Sequence, residues 1–502
     1  MRRLLLAVLL AAGMLPGRPP LAAAPVSPAT ETCLECHRQI HPGIVAEWEK
    51  SRHARVTPAE ALGRKGPARR LSAAAVPEGL SGVAVGCAEC HGMRPGDHAD
   101  TFEHNGFEIH LVVSPGDCRT CHPEEAGQYA ENLMSRAYGN LAGNPVFGDL
   151  ERTILGRIRP GKGPPRIEPA AAPTRAEGCY SCHGTRLKVA GTEVRTTDLA
   201  GELAFPVIEG WPNQGVGRVN LDGSLGSCAA CHTRHLFSVK TARKPYTCKQ
   251  CHIGPDVPAF KVYEASKHGN LFSSHAAEWD FERVPWAVGR DFTAPTCAAC
   301  HVSALVTPEG ETVAKRTHRM NDRLPWRIFG LIYAHPHPVS PDTTVIRNAD
   351  GQPLPTDLSG KPAAGFLIGP EEMAKRRDTL QAVCLACHGS SWVRGFWARF
   401  EHTIAETNAK TLDATRILTE IWKAGLAAGP ATGGSPFDEA IERRWADVWL
   451  IYANTIRFAS AMAGGGDYGV FADGRHRLNQ SIAGLEEWRG ERGKPPAAGR
   501  KP

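Results

Sequence analysis

Residues 228–252 read CAACHTRHLFSVKTARKPYTCKQCH, and this stretch contains the pattern C-x-x-C-H twice. Two thiols three positions apart can form thioethers with the two vinyl groups of one haem, and the histidine that follows lies where it can bind the iron. Zinc sites also use C-x-x-C pairs, but they do not require a histidine directly after the second cysteine. The stretch therefore predicts two covalently attached c-type haems.

The same pattern accounts for every cysteine of the chain. Its 502 residues contain 16 cysteines, and these form eight C-x-x-C pairs, each followed directly by histidine. In chain order, motifs 1 to 8 are Cys33/Cys36/His37, Cys87/Cys90/His91, Cys118/Cys121/His122, Cys179/Cys182/His183, Cys228/Cys231/His232, Cys248/Cys251/His252, Cys297/Cys300/His301 and Cys384/Cys387/His388. A disulfide framework would not explain the histidines. We expect eight c-type haems, each with its motif histidine as the first axial ligand.

The composition indicates what fills the interior. Aromatic residues make up only 7% of the chain, whereas it contains 52 glycines and 39 prolines. Large apolar side chains are therefore scarce, and eight flat apolar haems can supply much of the core. We expect a mainly α fold with a haem-packed core, few strands and a helical C-terminal region.

The spacing of apolar residues and turn formers suggests how this fold is divided along the chain. Helical periodicity is clearest in Ala374–Val383, Phe400–Leu426 and Phe437–Ala461. The Gly/Pro-rich segments Pro160–Pro173 and Pro336–Pro362 are predicted to be loops around the haems. This gives a multihaem body over residues 25–370 with motifs 1–7, then motif 8 with the helical region over 371–488. Residues 489–502 are expected to be a disordered tail.

The first residues predict export. Arg2 and Arg3 precede an apolar run from Leu4 to Leu15, and small residues follow up to Ala24, which is the layout of a secretory signal peptide over residues 1–24. We therefore expect a soluble periplasmic protein after the signal is removed. The formal net charge of +6 does not indicate a nucleic-acid partner, because the propionates of eight haems outweigh it.

Histidines outside the motifs are candidates for the second axial ligands. The chain has 21 histidines, of which eight belong to motifs. We predict six second ligands from their positions near motifs, namely His53, His110, His235, His268, His318 and His335. Seven remain unassigned: His41, His98, His104, His275, His337, His402 and His476. The number of histidines allows either eight closed irons or seven closed irons and one open, catalytic iron.

Several motifs together identify a resemblance. Residues 228–270 contain Cys-His-Thr-Arg-His-x-Phe-Ser, Ala-Arg-x-Pro, Cys-His-x-Gly-Pro-Asp and Tyr-x-x-Ser-Lys-His-Gly in that order. Further matches are Ala294-Pro295-Thr296-Cys297, Phe329–Pro336 and Ala374–Arg377 leading into Val383–Gly389. In these segments the chain resembles the octahaem hydroxylamine oxidoreductases and their hydrazine-oxidising relatives, nearly from end to end.

The resemblance implies a homotrimer with a catalytic haem at motif 4, whose distal face is open. In the oxidising branch a tyrosine of the neighbouring subunit is bonded to that haem, and Tyr468 in the dipeptide Asp467-Tyr468 matches it. Such a link would shift the haem towards accepting electrons from a bound nitrogen compound. Asp256 matches the carboxylate that accepts protons, and Tyr333 matches a pocket tyrosine.

Two departures from the family pattern affect the surroundings of the predicted catalytic haem. Val257 stands where the family has a histidine after the aspartate, and a valine cannot relay a proton. The Trp-His-Gly that follows the linked tyrosine is replaced by Phe471-Ala472-Asp473-Gly474-Arg475-His476. The haem attachment sites are unaffected by these changes.

Three functions remain open at this stage. The favoured one oxidises hydroxylamine or hydrazine at a haem linked to Tyr468 and passes electrons to a partner cytochrome or a quinone-linked acceptor. The second reduces nitrite or hydroxylamine to ammonia on the same scaffold and requires no tyrosine link. The third is an electron-transfer cytochrome without catalysis, which the replacement at Val257 would favour.

Overall fold

The computed structural model describes residues 24–160, 166–199, 201–213 and 215–493. The predicted signal peptide, up to residue 23, and the end of the predicted tail, from residue 494, lie outside these ranges. Within them the chain is mainly α-helical, as predicted. No helix of this part of the chain is long and apolar enough to cross a membrane.

Short helices dominate the body of the protein. They are Pro28–Ile40, Pro42–Lys50, Pro58–Gly63, Glu78–Ser81, Cys87–His91, Pro115–Cys118, Pro123–Ala130, Ala137–Ala142, Pro145–Leu155, Ala172–Glu177, Cys179–His183, Ala229–His232, Val239–Arg243, Pro245–Lys249, Ala259–Glu264, Lys267–His275 and Cys297–His301. Single 3₁₀ turns occupy Gly66–Ala68, Pro95–Asp97, Leu133–Arg136, Met320–Arg323, Thr343–Val345, Ala364–Phe366 and Pro430–Thr432. Proline fits this pattern, because many of these helices have one in the first turn, where it presets φ and no hydrogen bond is lost.

Strands are few and short, as expected. They form antiparallel pairs between Phe102–His104 and Phe107–Ile109, Arg157–Arg159 and Arg166–Glu168, Lys188–Thr197 and Gly201–Glu209, and Trp326–Arg327 and His335–Pro336. A three-stranded sheet contains Trp286–Ala287, Leu305–Val306 and Thr312–Ala314. The loop prediction for Pro160–Pro173 is wrong in part, because Arg166–Glu168 pairs as a strand and a helix begins at Ala172.

The C-terminal region is a helical bundle, as predicted. Its helices are Pro370–Leu385, Ser390–Lys423, Ala440–Asp447, Asn454–Ala461, Gly466–Val470 and Arg475–Arg492, with a π-helical turn over Val448–Ala453. The long helix begins before the predicted Phe400, because it starts at Ser390, separated from motif 8 by a single residue, its N-cap Gly389. The last helix continues to Arg492, so the predicted disordered tail is wrong for Arg489–Arg492.

This bundle has an ordinary side-chain core, which the low aromatic content did not lead us to expect. Trp445 and Trp449 are 1% and 0% exposed, and they pack with Leu418, Ile421 and Ile456. Fully burying each large apolar side chain contributes roughly 1.5–3 kcal/mol. The bundle is therefore stabilised by side-chain packing, and we assign the haem-filled interior to the body.

Candidate functional site

Helical geometry places both thiols of a motif on one side. Three motifs are complete short helices, at Cys87–His91, Cys179–His183 and Cys297–His301, and positions i and i+3 of a helix face the same way. In motif 1 the same arrangement occurs within a longer helix, Pro28–Ile40, where Cys33 and Cys36 are one turn apart. The motif pattern and the local backbone therefore agree in these four places.

The exposure of the cysteines also suits haem attachment. None of the 16 cysteines is fully buried; fifteen of them, Cys36 included, are half-buried, and Cys387 is exposed. Free cysteines are usually among the most buried residues. These thiols therefore border open space, as a site for a covalently bound haem requires. The attachment of a haem to each individual pair, from Cys33 and Cys36 onward, stays a prediction.

Three of the motif histidines have Nδ1 close to a possible hydrogen-bond partner, which leaves Nε2 for a metal. The Nδ1–H of His91 donates to the backbone oxygen of His110 at 2.7 Å. In motif 1, Nδ1 of His37 is 2.9 Å from Nδ1 of His41. In motif 4, Nδ1 of His183 is 3.4 Å from the backbone oxygen of Ala137. A hydrogen bond at one ring nitrogen fixes the ring and leaves the other nitrogen for the metal.

Histidines from elsewhere in the chain lie opposite four motif histidines. Two imidazoles that bind one iron, each at about 2 Å, have ring centroids about 6 Å apart. The observed pairs are His37 with His104 at 6.2 Å, His122 with His53 at 6.3 Å, His232 with His318 at 6.3 Å and His388 with His268 at 6.1 Å. Three of these partners are among the predicted second ligands. His104 is new, since its contact with motif 1 arises only from the fold.

His110 meets the spacing but has another partner. Its ring centroid is 6.1 Å from that of His91, yet its Nε2 donates to the backbone oxygen of Met93 at 3.0 Å. It also stacks on the ring of His98 at 3.6 Å. His235 is the alternative for motif 2, because burial and the nearby His91 lower its pKa to about 4, which keeps the ring neutral. The structure thus offers two histidines for one predicted position.

The remaining predicted ligand, His335, is 3% exposed, and its Nδ1–H donates to the backbone oxygen of Pro336 at 2.7 Å. Its Nε2 is left for a metal. In the described ranges, His183, His252 and His301 have no histidine ring opposite them at the spacing of the four pairs.

Contacts between thiols of different motifs show which sites are neighbours. The pairs of thiols that most strongly alter each other's pKa are Cys33 with Cys87, Cys118 with Cys228, Cys182 with Cys251 and Cys248 with Cys297. In three further pairs the charge of one thiolate raises the pKa of the other thiol: Cys90 with Cys121, Cys231 with Cys248 and Cys300 with Cys384. Together these pairs join motifs 1, 2, 3, 5, 6, 7 and 8 into one row. Motif 4 is attached to the row at motif 6.

Motif 4 differs from the others in its surroundings. Tyr180, between its two cysteines, is 4% exposed, and its hydroxyl is 3.0 Å from Nη2 of Arg175 and 3.3 Å from Oε2 of Glu151. Arg175 and Glu151 also form an ion pair. Tyr180 is the only aromatic residue between paired cysteines in the sequence, a signal that our sequence interpretation did not use. These contacts hold the helix Cys179–His183 through the side chain of Tyr180.

Of the predicted catalytic residues, Asp256 lies by motif 4. The negative charge of Asp256 acts to raise the pKa of the thiols of Cys179 and Cys182. It also acts to raise the pKa of His183, whereas burial lowers it. Asp256 is exposed, so its carboxylate can exchange protons with water.

The two predicted tyrosines lie in different places. Tyr468 packs in a small apolar cluster that includes Val257, the residue after Asp256. Tyr333 instead lies in the core of the C-terminal bundle, 1% exposed, and its hydroxyl donates to the backbone oxygen of Leu358 at 2.8 Å. The structure therefore brings Tyr468 near the Asp256 segment but does not bring Tyr333 there.

Known proteins resemble this chain in sequence and in fold. Residues 214–322 match the family model described as seven times multi-haem cytochrome CxxCH. A probable nitrite reductase–hydroxylamine oxidoreductase fusion protein of Kuenenia stuttgartiensis is 26% identical over 292 residues, which cover 54% of this chain and 25% of that protein. The chain thus matches about a quarter of the length of that curated relative.

Two solved structures share the fold. A hypothetical multiheme protein is 39% identical, with a TM-score of 0.87, over 94% of this chain and 98% of the other. A reducing HAO-like protein complex of Kuenenia stuttgartiensis is 17% identical, with a TM-score of 0.58, over 92% and 85% of the chains. The open thiol pairs, the oriented histidines and these similarities agree. The chain is a c-type haem protein that belongs to the multihaem cytochromes related to hydroxylamine oxidoreductase.

Proposed function

We propose that this chain is an octahaem oxidoreductase that oxidises hydroxylamine, or hydrazine, at the haem of motif 4. The observation that carries the proposal is the position of Asp256, whose charge acts on His183 and on both thiols of motif 4. In the described part of the chain no histidine ring closes the far side of this site at the spacing of the other pairs. Asp256 and Tyr468 are also the residues that the family resemblance implies for oxidation.

The chain's own residues would hold the site and move protons. When bound, the haem iron supplies the binding position for the nitrogen atom and accepts its electrons. Each electron that leaves an N–H compound is matched by a proton, and the carboxylate of Asp256 is placed to accept it. Because Asp256 is exposed, it can pass the proton to bulk water. Val257 offers no second relay, so Asp256 acts alone or through a water.

The row of motifs gives the electrons a route. They leave motif 4 through motif 6, where Cys182 and Cys251 lie close together, and spread along the row towards motifs 1 and 8. A redox partner, a cytochrome or a quinone-linked acceptor, collects them at the surface. The proposal includes eight haems, export to the periplasm and a homotrimer in which Tyr468 of a partner subunit is bonded to the haem of motif 4.

Reduction of nitrite is the second candidate, and a specific observation favours it. Arg327 acts on the pKa of His183 and has no carboxylate partner among the described residues. A guanidinium without a counter-charge near the catalytic site favours an anionic substrate over neutral hydroxylamine. The name of the Kuenenia stuttgartiensis fusion protein includes both activities.

The visible spectrum of the fully reduced holoprotein separates the two candidates. A band at longer wavelength than ordinary reduced c-type haems, together with reduction of the haems on adding hydroxylamine, supports oxidation at a modified haem. An ordinary spectrum, with nitrite oxidising the reduced protein, supports the reductive function. Haem content per chain, measured on the same sample as the pyridine haemochrome, tests the number eight.

A further inference from the structure

Two arginines lie close together in the interior without a carboxylate. The first, Arg457, is 0% exposed, and its Nη1 is 3.4 Å from the backbone oxygen of Ile328, which directly follows the second arginine in the chain. Its guanidinium also donates to Oγ1 of Thr407 at 3.0 Å, Oδ1 of Asn408 at 2.7 Å and Oδ1 of Asn454 at 3.2 Å. All of these acceptors are neutral. The hydrogen bonds of Arg457 are therefore satisfied, but its charge is not balanced.

The second arginine, Arg327, is the less satisfied of the two. It lies in the short strand Trp326–Arg327, directly across from His335. Its guanidinium is half-buried, and within the described ranges no oxygen accepts a hydrogen bond from it. The ring of Phe329 lies 5.9 Å away. Burial alone lowers the pKa of Arg327 to about 10, which agrees with the absence of a nearby carboxylate.

Two other buried arginines, Arg323 and Arg243, form hydrogen bonds with the chain itself. Arg323 is 1% exposed and donates to four backbone oxygens, including those of Ala299 and Ser303. Arg243 donates to the backbone oxygens of Phe281 and Arg283. These two have structural roles that the chain itself completes. Arg327 has no such role, and its guanidinium is left available for a ligand.

The space beside Arg327 has the size of a small anion. A cavity of about 30 Å³ is lined by Arg327, His335, Asn144, Thr343 and apolar residues. Such a volume holds about two waters, and therefore a planar group of three atoms such as a carboxylate or nitrite. A guanidinium binds groups of this shape through two parallel hydrogen bonds.

We propose that Arg327 binds a planar two-oxygen anion at this cavity, with the charge of Arg457 supporting it from behind. Two sources have this chemistry. One is the propionate of the haem next to His335, whose Nε2 is left for an iron. The other is free nitrite, which would make Arg327 a substrate-binding residue. The proposal rests on haem attachment but not on the direction of the reaction or on the link to Tyr468.

The test compares R327Q and R327K holoproteins with wild type and with R416Q. Arg416 is a matched control because its side chain is 66% exposed on the long C-terminal helix and pairs with nearby Asp413. Haem content per chain verifies loading. Redox titration followed by visible absorption then gives the midpoint potentials, and nitrite titration followed by difference spectra gives the affinity for nitrite.

A propionate at Arg327 predicts a lower midpoint potential for one haem in R327Q, because a positive charge is lost beside it, with nitrite affinity unchanged. Nitrite at Arg327 predicts unchanged potentials and an affinity that falls by about tenfold or more, the usual cost of a hydrogen bond to a charged group. R327K should show the same change in potential or in nitrite affinity, but a smaller one, since its ammonium keeps the charge but cannot bind both oxygens. If R327Q does not accumulate, the measurements on R327K decide between the two sources. Potentials and affinities equal to those of R416Q in both variants overturn the proposal.

Discussion

The thiol of Cys182 in motif 4 lies close enough to the thiol of Cys251 in motif 6 for each to alter the pKa of the other. This is the contact that joins the candidate catalytic site to the row of other sites. We predict that C248A/C251A, which removes the haem of motif 6, strongly slows the reduction of the remaining haems by hydroxylamine in stopped-flow absorption. C384A/C387A, which removes the haem of motif 8 at the end of the row, is the control. In this variant the first phase of haem reduction by hydroxylamine should have the wild-type rate. Equal rates in the two variants would exclude motif 6 as the exit.

Replacing Tyr468 with phenylalanine tests the link to the haem. Y468F removes the hydroxyl but preserves the ring that packs in the cluster with Val257. We expect loss of hydroxylamine oxidation and of any long-wavelength band, with unchanged haem content. Y452F is the control, because Tyr452 lies in the C-terminal bundle. If Y468F oxidises hydroxylamine at the wild-type rate, the proposed oxidation mechanism is wrong.

Asp256 is expected to act as the proton acceptor. D256N keeps the shape of the side chain but cannot accept a proton, so we predict a fall in kcat of about a hundredfold or more with full haem loading. D350N, at an exposed aspartate in a turn of the body, should retain activity. Steady-state kinetics over a pH series is the measurement. An unaltered pH profile in D256N would remove Asp256 from the mechanism.

His104 is predicted to be the second ligand of the haem at motif 1. Its ring lies 6.2 Å from that of His37, and the strand Phe102–His104 holds it there. In H104A one haem should become high-spin or bind an added imidazole, which electron paramagnetic resonance detects. H402A, at an exposed histidine of the long C-terminal helix, should leave all haem signals unchanged. A spectrum of H104A identical to that of H402A would refute the assignment.

Glu442 gives the C-terminal bundle a pH-dependent stability. Burial raises its pKa to about 7, while its side chain accepts hydrogen bonds from Nε1 of Trp422 and the backbone of Glu439. The folded state therefore keeps a proton that the unfolded chain loses at a lower pH, and each unit of difference contributes about 1.4 kcal/mol. That contribution is complete below the ordinary glutamate range and is lost as the pH rises to about 7.

We predict that the free energy of unfolding of the wild type falls over this interval, and that E442Q flattens the slope. Denaturant unfolding followed by circular dichroism measures both. E487Q, at an exposed glutamate of the last helix of the bundle, is the control and should keep the wild-type slope. A slope that persists in E442Q would show that another group is responsible.

The C-terminal bundle could be predicted from sequence because its signals are local. Apolar periodicity located its three main helices, but their ends differ from the prediction: the long helix begins at Ser390, and a capping pair, Glu439 and Glu442, starts the next helix at Ala440. The attachment motifs were equally readable, since each is complete within five residues. These features depend on neighbours in the chain, which sequence reading captures well.

The partners of the motif histidines could be predicted only in part. His53, His268 and His318 were chosen by their positions near motifs and do lie opposite motif histidines. His104 was missed because a hairpin brings it to His37 from a distant part of the chain. Tyr333, which the family resemblance assigns to the pocket, packs in the core of the bundle, and its role in the pocket stays a prediction. Contacts between distant segments decide these positions, and no local pattern encodes them.

The neighbouring thiols of separate motifs also constrain biosynthesis. Cys118 lies close to Cys228, and Cys248 to Cys297, so sulfurs of different motifs can meet in a chain whose haems are not yet attached. In an oxidising compartment such thiols can form disulfides, and one disulfide blocks two attachment sites until it is reduced. We therefore expect that each haem is attached while the chain is still open and that folding is completed on the loaded chain.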